Sequence, residues 1–111
     1  MLDVGCDDGS WALKVAKASG ASAIYGIVIN SAAAERASNS GITTINQDIG
    51  NPWNIENSFF DLVHANQVIE HVSDVDHFAG EIFRVLRPGG KIIISTENAS
   101  SWHNIFASIL G

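Results

Sequence analysis

The residues with the clearest chemical potential lie in the first ten positions of the chain. Leu2 and Val4 fit a buried strand, and Gly5 and Gly9 fit a connection that bends sharply and lets a ligand approach the backbone. Ser10 is of a type that caps helices, which predicts a helix directly after the connection. A strand, a glycine loop and a helix in this order predict a ligand-binding site.

The acidic residues of this loop indicate which ligand it accepts. In a dinucleotide-binding G-x-G-x-x-G motif that starts at Gly5, the later glycine positions hold Asp7 and Ser10. Asp7 and Asp8 would also face a pyrophosphate with like charge, and no G-K-[ST] phosphate loop occurs in the sequence. A cationic ligand without phosphate, such as S-adenosylmethionine with its sulfonium and ammonium groups, fits the loop better.

The remaining sequence alternates strands and helices, which predicts an α/β fold with right-handed crossovers around a mainly parallel sheet. The predicted strands are residues 2–4, 23–29, 42–45, 60–65 and 91–96, and the predicted helices are 11–19, 31–38, 75–86 and 100–110. In parallel sheets ligands bind beyond the carboxyl ends of the strands. One rim is therefore expected to collect residues 5–9, 28–30, 48–49 and 66–67.

The helix at 75–86 has the clearest helical periodicity. Ser73 and Asp76 have the form of a capping box at its start, and 88–90, Pro-Gly-Gly, are expected to stop it. Its predicted core stripe consists of Val75, Phe78, Ala79, Ile82, Phe83 and Leu86.

Composition limits the classes of partner. The 111 residues predict one small domain, and a formal net charge of −6 disfavours nucleic acid and anionic membranes as partners. A single cysteine allows no internal disulfide, which indicates a cytoplasmic protein. No apolar run approaches the roughly 20 residues of a membrane span.

Other reactive side chains have weaker claims. Cys6 has no positioned base nearby in sequence, which favours a small buried residue over a catalytic thiol. His71 is a candidate general base or, by preference, a structural histidine, so no catalytic residue is assigned. The remaining histidines lack metal-ligand spacing, which predicts no metal site. Trp53 and Phe59 either border a bound adenine or close a surface loop, and Asp61 is expected to bond nearby backbone.

Several motifs, in order, resemble the Rossmann-like, class I S-adenosylmethionine-dependent methyltransferases, and in particular their small-molecule and quinone-type group. Residues 2–9 resemble the first motif of that family, and 46–49 the motif after its third strand. Residues 60–63 with 68–72 resemble the fourth-strand motif, and 84–91 the helix exit before the fifth strand. The resemblance covers nearly the whole chain and implies a three-layer sandwich, here truncated after the fifth strand.

The resemblance also implies roles for particular residues in binding S-adenosylmethionine. Asp3, Gly5 and Gly9 would surround the methionine part, with the backbone of Cys6 and Asp7 nearby. The end of the second strand, Val28 and Ile29, would meet the ribose region. At the adenine, the Asp48 side chain would accept from the amino group and the Ile49 backbone would meet the ring. Asn66 would approach the methionyl end through its backbone.

The sequence departs from the family pattern at three points. Asp7 stands where the family often has glycine, and aspartate tolerates a left-handed backbone better than most residues. The family usually has Asp or Glu at the position of Val28, where a carboxylate takes both ribose hydroxyls. Charge-assisted hydrogen bonds contribute roughly 1.5–3 kcal/mol each, so weak cofactor affinity is expected, with Asn30 as a partial substitute if the strand extends that far. The family's sheet also continues beyond the fifth strand and often has a helix before the first. Residues 1–111 are therefore expected to be a methyltransferase core that is incomplete at both ends.

Two functions from different classes remain open at this point. The first is methyl transfer from S-adenosylmethionine to a small-molecule acceptor, with alignment of the acceptor as the protein's main task. The second is a catalytically weak or inactive binding or assembly module, which Val28 and the short length favour. A homo-oligomer through the predicted C-terminal helix is a further expectation. A nicotinamide-dependent oxidoreductase is disfavoured by the failed dinucleotide motif.

Overall fold

The computed structural model describes residues 1–5, 9–66, 72–95 and 105–108. Its strands are β1 (Leu2–Val4), β2 (Tyr25–Ile27), β3 (Thr43–Ile45), β4 (Phe60–Asn66), β5 (Leu86–Ser95) and β6 (Ile105–Ser108). Its helices are α1 (Ser10–Ser19), α2 (Ser31–Asn39) and α3 (Val75–Val85). The predicted alternation of strands and helices is confirmed, with strand β2 shorter than predicted.

All six strands form one sheet in the order β3-β2-β1-β4-β5-β6. Strands β1 to β5 pair in parallel, and β6 is antiparallel to β5. The chain leaves β1 toward β2 and β3 on one side and returns to β4 and β5 on the other. The order of the strands therefore reverses between β1 and β4, as in doubly wound α/β sheets.

Helices cover both faces of the sheet, which confirms the three-layer prediction. On one face, small residues of α1 and α2 pack against Val28 and Ile42; they are Ala12, Ala16, Ala33, Ala34 and Ala37. On the other face, Phe78, Ile82 and Val85 of α3 join the larger core of strand residues. Successive strand residues alternate between the two layers, as the pleat requires.

The helix predicted at 100–110 is wrong where the structure describes it, because 105–108 form β6. Ile105 pairs with Ile94, and Phe106 with Ile93. A short apolar run fits a buried helix face and a buried strand equally well, so periodicity alone could not decide. The predicted homo-oligomer contact was placed on that helix.

The ends of two helices differ from the sequence prediction. Gly9, and not Ser10, is the N-cap of α1, in a left-handed conformation with φ of 88°. Asp74, and not Ser73, caps α3, since its side chain accepts from the backbone N–H of His77. Helix α3 ends at Val85, before the predicted stop at 88–90, because a residue that precedes proline avoids the helical conformation.

The predicted core stripe of α3 is correct at its centre and wrong at two positions. Phe78 and Ile82 are buried, but Val75 and Phe83 are more than half exposed. Glu81 and Val85 are buried instead. Within the described part of the chain, no helix is both long and apolar enough to cross a membrane.

Candidate functional site

The carboxyl ends of the parallel strands bring the predicted site residues to one edge of the sheet. Val4 stands opposite Ile27 on one side and Ala65 on the other, and Ile27 stands opposite Ile45. The segments that follow these strands therefore lie side by side. They contain seven predicted cofactor-binding residues whose described positions lie beyond the strands or at their last residue: Gly5, Gly9, Val28, Ile29, Asp48, Ile49 and Asn66.

The first loop, residues 5–9, leaves β1 at the centre of this edge. Gly5 has a φ of 71°, and its N–H donates to the carbonyl of Ile27 over 2.9 Å. Gly9 has a φ of 88°, a left-handed conformation that favours glycine, and a Cβ there would also displace the tip of the Ile42 side chain. Cys6 and Asp7, predicted to contact the cofactor through their backbone, lie outside the described residues.

Asp3 lies inside the sheet and not at its open edge. It is 2% exposed, and its Oδ1 lies 2.5 Å from Nδ1 of His64, which stands opposite it on β4. Burial raises the pKa of Asp3, and the hydrogen bond from His64 partly offsets that rise. The Asp3 carboxylate, which the resemblance predicts near the methionine part of the cofactor, therefore binds His64 inside the protein.

His64 was missed as a partner for Asp3 because it was judged only for metal-ligand spacing. The usable signal was its position between Val63 and Ala65, in a strand with apolar neighbours. A buried histidine needs a polar partner, and Asp3 is an acid within another predicted buried strand.

Val28 offers no hydrogen-bond acceptor at the ribose position of the edge. Its side chain is 4% exposed within the alanine-rich layer. Asn30 does not lie on the strand face, because β2 ends at Ile27, and its Oδ1 caps α2 by accepting from Ala33 N–H over 2.9 Å. Ile29, 66% exposed, presents an apolar surface at the edge.

The loop that follows β3, residues 46–59, contains the predicted adenine-binding residues, and we call it the third loop. Asp48 is exposed, and its Oδ1 accepts from the backbone N–H of Gly50 over 2.9 Å. Asn46 Nδ2 donates to the carbonyls of Val28 and Ile29 at 2.7 and 3.0 Å, which ties this loop to the end of β2. Asp48 follows two residues after Asn46, in a turn that its own side chain closes.

Two charged residues of α3, Glu81 and Arg84, bind the backbone of the third loop, and we call this pair the clamp. Glu81 Oε1 accepts from the backbone N–H of Trp53 over 2.6 Å. All five N–H groups of Arg84 are engaged: by both carboxylate oxygens of Glu81, by the carbonyls of Trp53 and Ile55, and by Asn57 Oδ1. The hydrogen bond from Arg84 holds the pKa of Glu81 below its ordinary value, against the opposing effect of burial.

The clamp was also missed at the sequence level. Glu81 and Arg84 stand three residues apart on α3. Such a pair is usually read as solvated surface charge. The one local signal was that Glu81 interrupts the apolar side of the helix, next to Ile82.

Trp53 and Phe59, predicted either to border a bound adenine or to close a surface loop, lie in different places. Trp53 is 3% exposed, packs edge-on against Phe78, and donates from Nε1 to the carbonyl of Ile49 over 3.0 Å. Phe59 packs edge-on against Tyr25, the first residue of β2, at the amino edge of the sheet. Phe59 therefore lies away from the candidate site, whereas Trp53 is buried within the loop that carries Asp48 and Ile49.

A cavity of about 450 Å³ opens at this amino edge, opposite the candidate site. Phe59, Tyr25, Asp61 and Arg87 line part of it. Asp61 pairs with Arg87 Nη1 at 2.9 Å, so the expectation that it bonds nearby backbone is wrong. Among the described residues, no cluster of three or more histidine, cysteine, aspartate or glutamate side chains could hold a metal ion. His71 and Gln67 lie outside the described residues.

Known proteins resemble this chain both in sequence and in structure. A family model described as a methyltransferase domain matches residues 1–109. A ubiquinone biosynthesis O-methyltransferase from Bradyrhizobium sp. is 44% identical over 52 residues, which are 47% of this chain and 20% of that relative. The chain thus matches about a fifth of the length of that relative.

Two solved structures show the same architecture. An S-adenosylmethionine-dependent methyltransferase from Mesorhizobium loti superposes with a TM-score of 0.75 at 28% identity, over 86% of this chain and 45% of that chain. A protein named the [4+2]-cyclase SpnF superposes with a TM-score of 0.74 at 29% identity, over 86% of this chain and 37% of that chain.

Proposed function

Because the chain belongs to the methyltransferase domain family, we propose that it binds S-adenosylmethionine at the carboxyl edge of its sheet and transfers the methyl group to a small-molecule acceptor. One observation carries the proposal: β1 lies between β2 and β4, at the point where the strand order reverses. The crevice at such a point is the usual ligand site of an open α/β sheet, and here Gly5 directly follows β1 at that point.

The described edge suits a cationic, phosphate-free cofactor. Its segments at 28–30 and 46–49 contain no lysine or arginine, and Asp48 supplies a negative charge. One oxygen of Asp48 closes the turn at Gly50, and a carboxylate has a second oxygen that can accept from an adenine amino group. Gly5 lets the methionine part approach the backbone, and Ile29 offers apolar contact to the nucleoside.

The chemistry would depend mainly on alignment. The bound cofactor supplies a methyl group on a sulfonium, which is already a good leaving group. The chain's own task is to hold the acceptor in line with that methyl group, which is catalysis by proximity. An acceptor that must lose a proton needs a base, and His71 is the candidate for that role.

A small-molecule acceptor is supported by two observations. The Bradyrhizobium relative is named for an O-methylation step in ubiquinone biosynthesis. The formal net charge of −6 disfavours nucleic acid as the acceptor.

Calorimetric titration of the purified chain tests the proposal. S-adenosylmethionine and S-adenosylhomocysteine are expected to bind, and NAD is not. Asp48→Asn should weaken S-adenosylhomocysteine binding about tenfold, the worth of one hydrogen bond to a charged group. The matched control is Asp61→Asn, an exposed carboxylate at the opposite edge, which should leave binding unchanged. Binding of NAD in place of S-adenosylhomocysteine would refute the proposal.

Val28 favours a second candidate function, a catalytically weak or inactive module that keeps the methyltransferase fold. The buried valine cannot accept from the ribose, and the likeness to a protein named as a cyclase shows that this fold is not restricted to proteins named as methyltransferases. Val28→Asp should strengthen S-adenosylhomocysteine binding about tenfold or more through new charge-assisted hydrogen bonds. Because Val28 packs in the alanine-rich layer, burial of the new carboxylate destabilises the free protein, and circular dichroism must first show that the variant folds. A wild-type dissociation constant in the low micromolar range or tighter, with no gain in the variant, would contradict the expected weak affinity.

A further inference from the structure

We propose that the clamp, Glu81 and Arg84, positions the third loop for recognition of the adenine amino group and thereby sets the base specificity of the site. This inference rests on the proposed function, since it assumes that Asp48 faces the adenine. Neither clamp residue would touch the cofactor. Both would act through Trp53.

The clamp holds the third loop at the backbone of Trp53 and Ile55. Both backbone groups of Trp53 form hydrogen bonds with the clamp: its N–H donates to Glu81 over 2.6 Å, and its carbonyl accepts from Arg84 over 2.9 Å. Arg84 also binds the Ile55 carbonyl at 2.6 Å. A rigid guanidinium that binds two carbonyls and a carboxylate together fixes the backbone path of residues 53–55 relative to α3.

The side chain of Trp53 connects the clamp to the carboxyl edge of the sheet. The buried Trp53 ring packs against Phe78 of α3, and its Nε1 donates to the carbonyl of Ile49. Ile49 directly follows Asp48. The orientation of the Asp48 turn therefore depends on Trp53. The backbone of Trp53 is bound by the clamp, and its indole ring packs against α3.

The burial of Glu81 distinguishes the clamp from an exposed surface ion pair. Glu81 is 9% exposed, and its charge is compensated inside the protein by Arg84. The other arginine–carboxylate pair, Arg87 with Asp61, is largely exposed and joins the other edge of the sheet. The buried pair alone is connected to the backbone of the third loop.

The experiment compares the affinities of the full chain for S-adenosylhomocysteine and S-inosylhomocysteine, in which an oxo group replaces the adenine amino group. Wild type should prefer the adenine form by roughly ten- to hundredfold, because the Asp48 acceptor meets a donor in one ligand and an acceptor in the other. Trp53→Phe keeps an aromatic ring but removes the hydrogen bond to Ile49, and it should reduce this preference at least about threefold. Arg84→Met should reduce it further.

Arg87→Met is the matched control and should keep the wild-type preference. A merely structural role would lower both affinities together and leave their ratio unchanged, which would overturn the inference while the proposed function stands. A wild type that binds both ligands equally would overturn the role of Asp48 and the inference with it, and a wild type that binds neither would overturn the proposed function. If Arg84→Met does not fold, the ratio for Trp53→Phe decides.

Discussion

Two loops of the carboxyl edge are supported by two charged pairs of different design, one fully buried and the other with a partly exposed arginine. Below the first loop, Asp3 and His64 bind each other across adjacent strands, and the bond joins side chain to side chain. Below the third loop, Glu81 and Arg84 bind each other and also the backbone of the loop. The first pair therefore joins two strands of the sheet, whereas the second determines where a loop lies.

The pKa values of the two carboxylates are shifted in opposite directions, although burial raises both. For Asp3 desolvation is the larger effect, and its pKa is raised. For Glu81 the hydrogen bond from Arg84 is larger, and its pKa is lowered. A guanidinium that is always charged stabilises a carboxylate at any ordinary pH, so the clamp can hold a fixed negative charge inside the protein.

The largest expected effect follows from removal of the arginine of the clamp. Arg84→Met leaves Glu81 buried without its cation and should lower the free energy of unfolding by about 3–5 kcal/mol. Arg87→Met, which breaks an exposed pair, should cost less than about 1 kcal/mol. Urea unfolding followed by circular dichroism measures both. Equal losses in the two variants would show that the clamp acts only as a surface pair.

His64→Leu should have a somewhat smaller and pH-dependent effect. The variant leaves the Asp3 carboxylate buried without a donor, at a cost of about 3 kcal/mol near neutral pH. Without His64 the pKa of Asp3 should rise further, so the loss should shrink as the pH falls and Asp3 takes up a proton. The same unfolding experiment, repeated at acidic and neutral pH, measures this change. A loss that does not depend on pH would argue against a charged Asp3.

The smallest effect is the slope of stability with pH, and it should have opposite sign for the two carboxylates. Because the pKa of Glu81 in the folded state lies below 4.5, the unfolded state binds more protons there, and stability rises with pH through that window. Because the pKa of Asp3 lies above 3.8, the folded state binds more protons above that value, and stability falls as the pH rises toward the raised pKa.

Conservative amides separate these two contributions. Glu81→Gln should remove the rise of stability with pH, and Asp3→Asn should remove the fall of stability with pH. Each slope should change by no more than about 1.4 kcal/mol per pH unit, the limit for a single proton. Urea unfolding across the acidic range measures the slopes. Slopes that change in the same direction in both variants would contradict the comparison between the pairs.

The sequence predicted much of the fold because the relevant signals are local. Val4 before Gly5 marks a strand that enters a turn, and Phe78 with Ile82 marks a helix face; each pattern is complete within a few residues. It also placed Gly5 and Asp48 at one edge, since topology follows from the order of strands and helices. What it missed were contacts between distant segments: Asp3 with His64 across 61 positions, and Trp53 with Glu81 across 28.

Patterns along the chain were sufficient to predict the α/β class, the glycine loop of a methyltransferase and the lack of an acceptor side chain at Val28. The folded structure was needed to show that Asp3 faces His64 inside the sheet, that Phe59 lies at the amino edge, and that 105–108 pair as a strand. Local backbone preference and hydrophobic period act between neighbours along the chain. Strand register and helix docking bring together side chains whose separation in sequence carries no periodic signal.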